Sequence, residues 1–431
     1  MPKKKVAHIV AVDMGYGHLR AAYPLAELAQ GEIINANTYK GIPKSDREIW
    51  RLSRKFYEFI SRFKRMPVVG EKAFELFDKF QAIPPFYPRR DLSRPSTQLK
   101  QTMRTIRKKQ WGKHLIEKLA KEPLPMINTF FVTAFMAEEH GYPGDIFVVV
   151  PDTDISRAWV SDHPNTSRIK YFASTRQVVE RLKMYGVKKE NIYFTGFPLP
   201  KENLGGSKLS IVRRDLGRRL PNLDPNGVYR RRYARTIRKY LGNFVRQKPT
   251  RPLTIMFAVG GAGAQRDIGI KIVQGLEEWI KSGQVKIILV SGIHNDVNRY
   301  FTSSISKLGL SRYLGKAIEI IYAINKEQYF SAFNKALHKV DILWTKPSEL
   351  SFYTALGIPI IMSEPIGSQE EFNRDWLEMI GSGMRQGDLD YIAEWLGDVI
   401  ERGWFAEAAM EGFIEAPNLG TFNIINLIKQ Y

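Results

Sequence analysis

The sequence predicts an α/β protein of two domains, each built on a parallel β-sheet. The chain has 431 residues, and a single hydrophobic core rarely extends beyond about 250 to 300 residues. Short apolar runs of strand length alternate with segments of helical spacing in both halves, which indicates βαβ units. Several of these runs end in glycine-rich or polar turns. Because ligands of open parallel sheets bind at the carboxyl ends of the strands, we expect functional residues in those turns.

The stretch 340–373 is the clearest unit of this kind. Apolar runs at 341–344 and 359–362 flank a segment of helical length at 350–356. Polar residues follow both runs, and they are Lys346, Ser348 and Glu349 after the first and Gln369, Glu370 and Asn373 after the second. These two loops should meet at one crevice, because neighbouring parallel strands end at the same sheet edge. A pair of solvated surface loops is the alternative interpretation.

A second unit opens the chain. Residues 6–12 form an apolar run, Gly15 and Gly17 form a turn, and a helical segment follows from 19 to 29. Backbone N–H groups at such a helix start can hold an anion, although any tight turn between a strand and a helix can require glycine. His18 closes the turn. It is either a helix-capping residue or a proton acceptor, which a neutral imidazole can be.

The motifs in their order resemble the GT-B glycosyltransferases. The motif G-x-G-H-x-x-A spans 15–21, G-G-A-G-A spans 260–264, and T-K-P, A-L-G-I-P and P-I-G-S-Q-E-E-x-N lie between 345 and 373. The similarity is greatest to the family 28-like branch, which contains the monogalactosyl- and glucosyl-diacylglycerol synthases and the peptidoglycan lipid-intermediate enzyme. It covers most of both halves.

The resemblance implies two Rossmann-like parallel-sheet domains that face each other across a cleft. Residues 1–200 would form the acceptor-side domain, with a basic, aromatic, helical insertion at about 44–121. A basic interdomain segment at 201–252 would lead to a donor domain at 253–431. The tail from 418 onwards would cross back onto the first domain. Further strands are expected at 126–132 and 146–150 in the first half and at 253–259 and 285–290 in the second.

The resemblance also implies roles for individual residues. His18 or Asp152 would accept the proton of the acceptor hydroxyl, and His163 and Asp154 would lie nearby, each with a local loop hydrogen bond as the alternative role. The implied donor-binding residues are Gly260, Gly261, Gly263, Ala264, Asn295, Lys346, Ser348, Glu349, Gln369, Glu370 and Asn373. Within that set the glycine loop would hold the diphosphate and the last three residues the sugar. Phe352 stands where the family has a glutamate for the donor ribose, so the chain departs from the pattern there.

The implied activity is transfer of a hexosyl group from a nucleotide-sugar, expected to be a UDP-sugar, to a lipid-linked or amphipathic hydroxyl acceptor. The nucleotide-sugar is a co-substrate, and no cofactor is expected. Two alternatives remain open at this level. One is a nucleotide-sugar 2-epimerase of the same architecture, which consumes no acceptor, and the other is a binding protein that has lost catalysis, which the Phe352 departure favours.

The charge of +21 is concentrated in two segments. Residues 44–121 hold 21 basic and 8 acidic residues, a net of +13, and residues 201–252 hold 15 and 3, a net of +12. Such surfaces attract anionic lipid or phosphate-rich polymers. In the first segment Trp50, Phe56, Tyr57 and Phe63 alternate with basic residues, which predicts contact with a membrane interface, unless that face packs on a core. Nucleic acid binding by the second segment is less favoured, since it contains no recognisable motif.

Several classes of protein are disfavoured by composition. The chain has no cysteine, which excludes disulfides and thiolate metal ligands and fits a reducing compartment. No metal-binding motif is found, and no metal is expected. Apolar windows stay below the roughly 18 residues that a membrane span needs. We expect a cytoplasmic protein bound peripherally at the inner face of the membrane.

Overall fold

The computed structural model describes residues 6–63, 83–259, 263, 265–365 and 367–431, and the side chains of all of these except 56–63. It separates into two compact units. Unit 1 comprises residues 1–199, 366–373 and 419–431, and unit 2 comprises residues 200–365 and 374–418. Within the described residues, each unit contains one six-stranded sheet in which every neighbouring pair is parallel. The predicted α/β class with two parallel sheets is confirmed.

The sheet of unit 1 has the order β2-β1-β3-β4-β5-β6. Its strands are β1 (His8–Ala11), β2 (Ile34–Asn35), β3 (Met126–Asn128), β4 (Ile146–Val149), β5 (Lys170–Ala173) and β6 (Ile192–Phe194). Its α-helices are Tyr16–Ala22, Lys44–Phe63, Thr97–Lys109, Lys113–Leu119, Phe131–Glu139, Arg176–Met184 and Gly420–Ile428, with 3₁₀ turns at Tyr23–Leu28, Arg157–Trp159 and Lys189–Asn191. β1, β3 and β4 are buried along their whole length, as expected of central strands covered on both faces.

The sheet of unit 2 has the order β12-β11-β10-β7-β8-β9. Its strands are β7 (Leu253–Ala258), β8 (Val285–Gly292), β9 (Ile318–Tyr322), β10 (Ile342–Thr345), β11 (Ile360–Met362) and β12 (Gly383–Arg385). Its α-helices are Lys201–Leu204, Ser210–Leu223, Val228–Arg232, Ala234–Leu241, Arg266–Gly275, Glu277–Lys281, Asn295–Lys307, Lys326–Leu337, Ile392–Glu401 and Trp404–Glu415, with 3₁₀ turns at Gly242–Phe244, Ser311–Tyr313, Glu349–Leu356 and Leu389–Tyr391. The helix Ser368–Met379 begins in unit 1 and ends in unit 2.

Two predicted elements differ from the structure. The apolar run 126–132 is a strand only as far as Asn128, and a helix starts at Phe131. An apolar run does not distinguish a buried strand from the start of a buried helix, and here both are present. The helix predicted for 19–29 starts earlier, at Tyr16, and changes to a 3₁₀ turn at Tyr23, next to Pro24. Proline removes the N–H that would continue the α-helical ladder.

The basic segment 201–252 is folded into unit 2. Arg219, on the helix Ser210–Leu223, is 1% exposed, and its guanidinium donates to the main-chain carbonyls of Val340 at 2.7 Å and Gly357 at 2.8 Å. Arg251 donates to the buried carboxylate of Asp341 at 2.5 and 2.7 Å. Part of the positive charge of this segment, on Arg219 and Arg251, is therefore neutralised or hydrogen-bonded inside unit 2.

Trp50 is a core residue, and its predicted contact with a membrane is wrong. Its side chain is 4% exposed and lies edge-on to Trp111, with the ring centroids 4.6 Å apart. Leu52, two residues along the same helix, is 53% exposed. The side chains of Phe56, Tyr57 and Phe63 lie outside the described residues. The aromatic pattern did not indicate which of its members faces the protein.

Candidate functional site

The glycine turn after β1 is held in a conformation that favours glycine. Gly15 has φ 114° and immediately precedes the helix Tyr16–Ala22, and Gly17 lies inside that helix. An L-amino acid side chain rarely adopts such a φ. The amide of Asn37 braces the turn, because its Oδ1 accepts from Asp13 N and its Nδ2 donates to Asp13 O, both at 3.1 Å. Asn37 follows β2, which is two residues long and was not predicted.

His18 is oriented by a main-chain carbonyl at the end of the neighbouring strand. Its Nδ1 lies 2.7 Å from the carbonyl oxygen of Thr129, which follows β3. A carbonyl oxygen only accepts, so Nδ1 carries the hydrogen and Nε2 is the basic nitrogen of the neutral ring. Among the described residues Nε2 has no hydrogen-bond partner. The structure thus places an unprotonated ring nitrogen at the carboxyl ends of β1 and β3.

The surroundings of His18 keep its ring neutral. It packs edge-on against Phe130, with ring centroids 4.7 Å apart, and Trp159 lies at 6.2 Å. Burial lowers the pKa of His18 from 6.5 to about 4, and the bond to Thr129 opposes this shift only in part. At neutral pH the imidazole can accept a proton, which is what general-base catalysis requires.

Asp152 and Asn373 are brought together although 221 positions separate them in the chain. The Asn373 Oδ1 accepts from both the N–H and the hydroxyl of Thr153, at 2.9 and 2.8 Å, and its Nδ2 donates to the Asp152 carboxylate at 3.3 Å. Asn373 is fully buried. Its amide therefore fixes the loop after β4. The resemblance implied that Asn373 contacts a sugar, and no sequence pattern indicated that it also braces this loop.

Asp154 and His163 differ from Asp152 in their surroundings. Asp154 is fully buried in a bidentate ion pair with Arg181, at 2.9 and 2.7 Å, which gives this carboxylate a structural role. His163 has a side chain that is 72% exposed, and its Nε2 lies 3.7 Å from the Asp162 carboxylate. Within the described part of the chain, no hydrogen bond or ring contact joins His163 to His18.

The loop after β7 is the predicted diphosphate loop of unit 2. Gly260, Gly261 and Ala264 lie outside the described residues. Gly263 has φ 67°, and a Cβ built on it would lie 3.0 Å from Val297 Cγ2. Both the backbone angle and the nearby Val297 methyl group disfavour a side chain at this position. The helix Arg266–Gly275 starts directly after the loop, so its N-terminal dipole favours an anion there.

Gln265 joins this loop to the loop after β11. Its Nε2 donates to the Glu364 carbonyl at 2.9 Å, and its Oε1 accepts from the Ser363 hydroxyl at 2.8 Å. Gln265 has φ 62°, an unfavourable angle for a residue other than glycine. Sequence reasoning assigned no role to the Gln265 side chain, since a glutamine at the end of a glycine loop carries no recognisable signal.

The remaining predicted donor residues all lie in loops or at helix starts after strands. Lys346, Ser348 and Glu349 follow β10 and are partly exposed, Asn295 begins the helix after β8 and is exposed, and Gln369 and Glu370 lie in the first turn of the helix Ser368–Met379. Phe352 is 2% exposed and packs against Trp376 at 5.4 Å, so it fills a core position. Along the chain, Glu349 is the closest carboxylate before position 352, where the family has its ribose-binding glutamate.

Two features are not found among the described residues. No group of three or more His, Cys, Asp or Glu side chains in this part of the chain is placed to hold a metal ion. None of the described helices has both the length and the apolar character needed to cross a membrane.

Comparison with known proteins gives relatives of one kind among the curated sequences. The chain is 22% identical over 394 residues to the processive diacylglycerol beta-glucosyltransferase of Bacillus subtilis (strain 168), covering 89% of this chain and 84% of that protein. It is 23% identical over 282 residues to the Bacillus licheniformis protein of the same name, covering 63% and 60%. The predicted resemblance to the diacylglycerol glycosyltransferase branch is confirmed.

Other comparisons are less specific. Residues 243–385 match a family model described as a domain of unknown function, DUF6938. Among solved structures, MurG of Acinetobacter baumannii is 12% identical with a TM-score of 0.43, covering 77% of both chains. A co-structure of S. aureus MnaA with UDP is 13% identical with a TM-score of 0.44, covering 77% of this chain and 79% of that one.

Proposed function

We propose that this chain is a hexosyltransferase that moves a sugar from a nucleotide-sugar to a hydroxyl group of a lipid or lipid-linked acceptor. The observation that carries the proposal is the oriented, neutral imidazole of His18, whose Nδ1–H is bound by Thr129 O and whose Nε2 is unprotonated. The similarity to diacylglycerol glucosyltransferases over most of the chain supports the substrate class.

In this reaction the acceptor oxygen forms a bond to the anomeric carbon of the sugar. The bond from that carbon to the diphosphate breaks, and the hydroxyl proton passes to Nε2 of His18. The leaving diphosphate is assigned to the loop around Gly263, where backbone N–H groups and the following helix favour negative charge. Asp152 follows the carboxyl end of β4 and is held by Asn373, and we propose it as the alternative general base.

The donor is proposed to be a UDP-sugar, used as a co-substrate without a bound cofactor. Acceptance of a membrane lipid fits a peripheral protein at the inner, cytoplasmic face of the membrane. The exposed Leu52 lies among the exposed residues Arg51, Arg54 and Lys55 on the helix Lys44–Phe63, and this arrangement suits an anionic lipid interface. Phe56 and Phe63 are at helical spacing from Leu52 in the sequence.

The test is a two-stage donor and acceptor assay. Thermal shift with UDP-, GDP- and ADP-sugars should identify a donor, since a ligand that binds the folded state raises the melting temperature. That donor, incubated with diacylglycerol in anionic vesicles, should yield a glycolipid and the free nucleoside diphosphate. Conversion of the sugar to its epimer without acceptor would identify a 2-epimerase. If a donor binds but neither product forms, the chain is a binding protein and the proposal fails.

A further inference from the structure

Unit 1 contains a cleft along the sheet edge that β2 forms. It has a volume of about 640 Å³ and lies between β2 and the helix Lys113–Leu119. Its wall includes His8, the first residue of β1, and Glu122, which precedes β3. His18 and Thr129 follow the same two strands. His8 and Glu122 lie at the amino ends of β1 and β3, whereas Lys40 follows the carboxyl end of β2, so the cleft runs along the sheet edge that β2 forms.

The wall of the cleft contains a buried ring nitrogen without a partner. His8 is 5% exposed, and its Nε2 lies 2.8 Å from the carbonyl oxygen of Glu122. The carbonyl only accepts, so Nε2 carries the hydrogen and Nδ1 is the acceptor of the neutral ring. Nδ1 has no hydrogen-bond partner among the described residues. Buried polar atoms are usually paired, so this nitrogen is available to accept a hydrogen bond from a hydroxyl or amide group.

Lysines border the cleft, and the carboxylates beside them do not neutralise them. Lys40, Lys118 and Lys121 line it, and none forms an ion pair within the described part of the chain. Lys118 Nζ lies 5.6 Å from the centre of the Tyr39 ring and donates to the Lys40 carbonyl at 3.4 Å. Both carboxylate oxygens of Glu122 accept from the amide of Gln30 at 3.0 Å. Glu32 is the remaining acidic residue of the lining.

The cleft also has an apolar side, formed by Ile33, Ile34, Leu115 and Leu119. An anionic group with several charges suits three ammonium groups, a hydroxyl suits the free nitrogen of His8, and a carbon skeleton suits the apolar side. We propose that this cleft binds a phosphorylated polyol, in which the phosphate contacts the lysines and a hydroxyl donates to His8. The phosphate could belong to a free ester or to the glycerophosphate headgroup of a lipid.

The test measures binding in the absence of any nucleotide-sugar, so it is independent of the proposed transferase activity. Glycerol 3-phosphate is titrated calorimetrically into the full-length protein, and vesicles containing phosphatidic acid are tested in a separate flotation arm. The double variant Lys40→Met, Lys121→Met should bind at least about tenfold more weakly, equivalent to roughly 1.4 kcal/mol. The control Lys108→Met, Lys109→Met removes the same charge from the exposed end of the helix Thr97–Lys109 and should change binding by less than about twofold.

NMR of ¹⁵N-histidine-labelled protein locates the ligand. Of the seven histidines, His8 should show the largest Nδ1 shift on addition of glycerol 3-phosphate, and His8→Gln should remove that signal. If His8→Gln does not fold, the two lysine pairs still decide the question. Binding to vesicles alone identifies a lipid headgroup, and binding of the free ester identifies a soluble ligand. Binding in neither arm, or equal weakening by both lysine pairs, would refute the site.

Discussion

Replacing His18 with asparagine should separate the orientation of this side chain from its chemistry. The asparagine amide can donate to the Thr129 carbonyl from about the position of Nδ1, but it has no group equivalent to Nε2. Loss of a general base typically lowers turnover by about 10²- to 10⁴-fold. We expect a decrease of that size in kcat for glycolipid formation, while donor binding measured by thermal shift stays unchanged.

The same residue predicts a specific dependence on pH. The pKa of His18 is lowered from 6.5 to about 4 in the folded protein, so between these values the unfolded chain binds more protons. Stability should therefore rise with pH across this window and be lost as the pH falls through it. Allowing for the partial exposure of the ring, the wild type should lose about 1 to 2 kcal/mol more than His18→Asn between roughly pH 7 and pH 4.5.

Two measurements check this reasoning. Urea unfolding of the wild type and His18→Asn between about pH 7 and pH 4.5 gives the difference in stability. The kcat/KM of the wild type should stay constant as the pH falls, until the pH approaches about 4. An acid limb near pH 6.5, or a variant with full turnover, would show that His18 is not the neutral base described above. Asp152→Asn would then be the next variant to test.

Three further predictions concern other parts of the molecule. Asn373→Ala leaves the loop at Thr153 without its acceptor, so unfolding should cost about 1 to 3 kcal/mol less; unchanged stability in denaturant titration would contradict the bracing role. Gly263→Ala should weaken donor binding measured by thermal shift. The control is Gly283→Ala, where φ is 75° and an added Cβ would meet no atom within 4 Å, and it should lower stability without weakening donor binding. Equal donor affinities of the two variants would count against the assignment of the diphosphate to the Gly263 loop. Trp50→Ser should destabilise the protein by about 3 to 5 kcal/mol. Leu52→Ser should fold normally and lose the vesicle binding that survives about 0.5 M salt. If Leu52→Ser retains this salt-resistant binding, Leu52 does not contact the membrane interface.

The sequence located the central strands of the second sheet well and the short edge strands poorly. The apolar runs at β7, β8 and β10 were located to within two residues, because a strand covered on both faces must be apolar throughout. β2 and β12 were not predicted, since they have two and three residues and lie at the sheet edges. Short edge strands carry too few residues to show periodicity.

The sequence by itself determined the fold class, the order of the strand-end loops and the resemblance to lipid glycosyltransferases, because these depend on residue type and spacing along the chain. Only the tertiary structure decided that Trp50 belongs to the core, that Asn373 braces the loop at Thr153, and that His18 is neutral with Nε2 unprotonated. The physical reason is the same in each case. Burial, hydrogen-bond partners and pKa are set by groups distant in sequence, and an aromatic residue on an amphipathic helix has the same local pattern whether it faces protein or lipid.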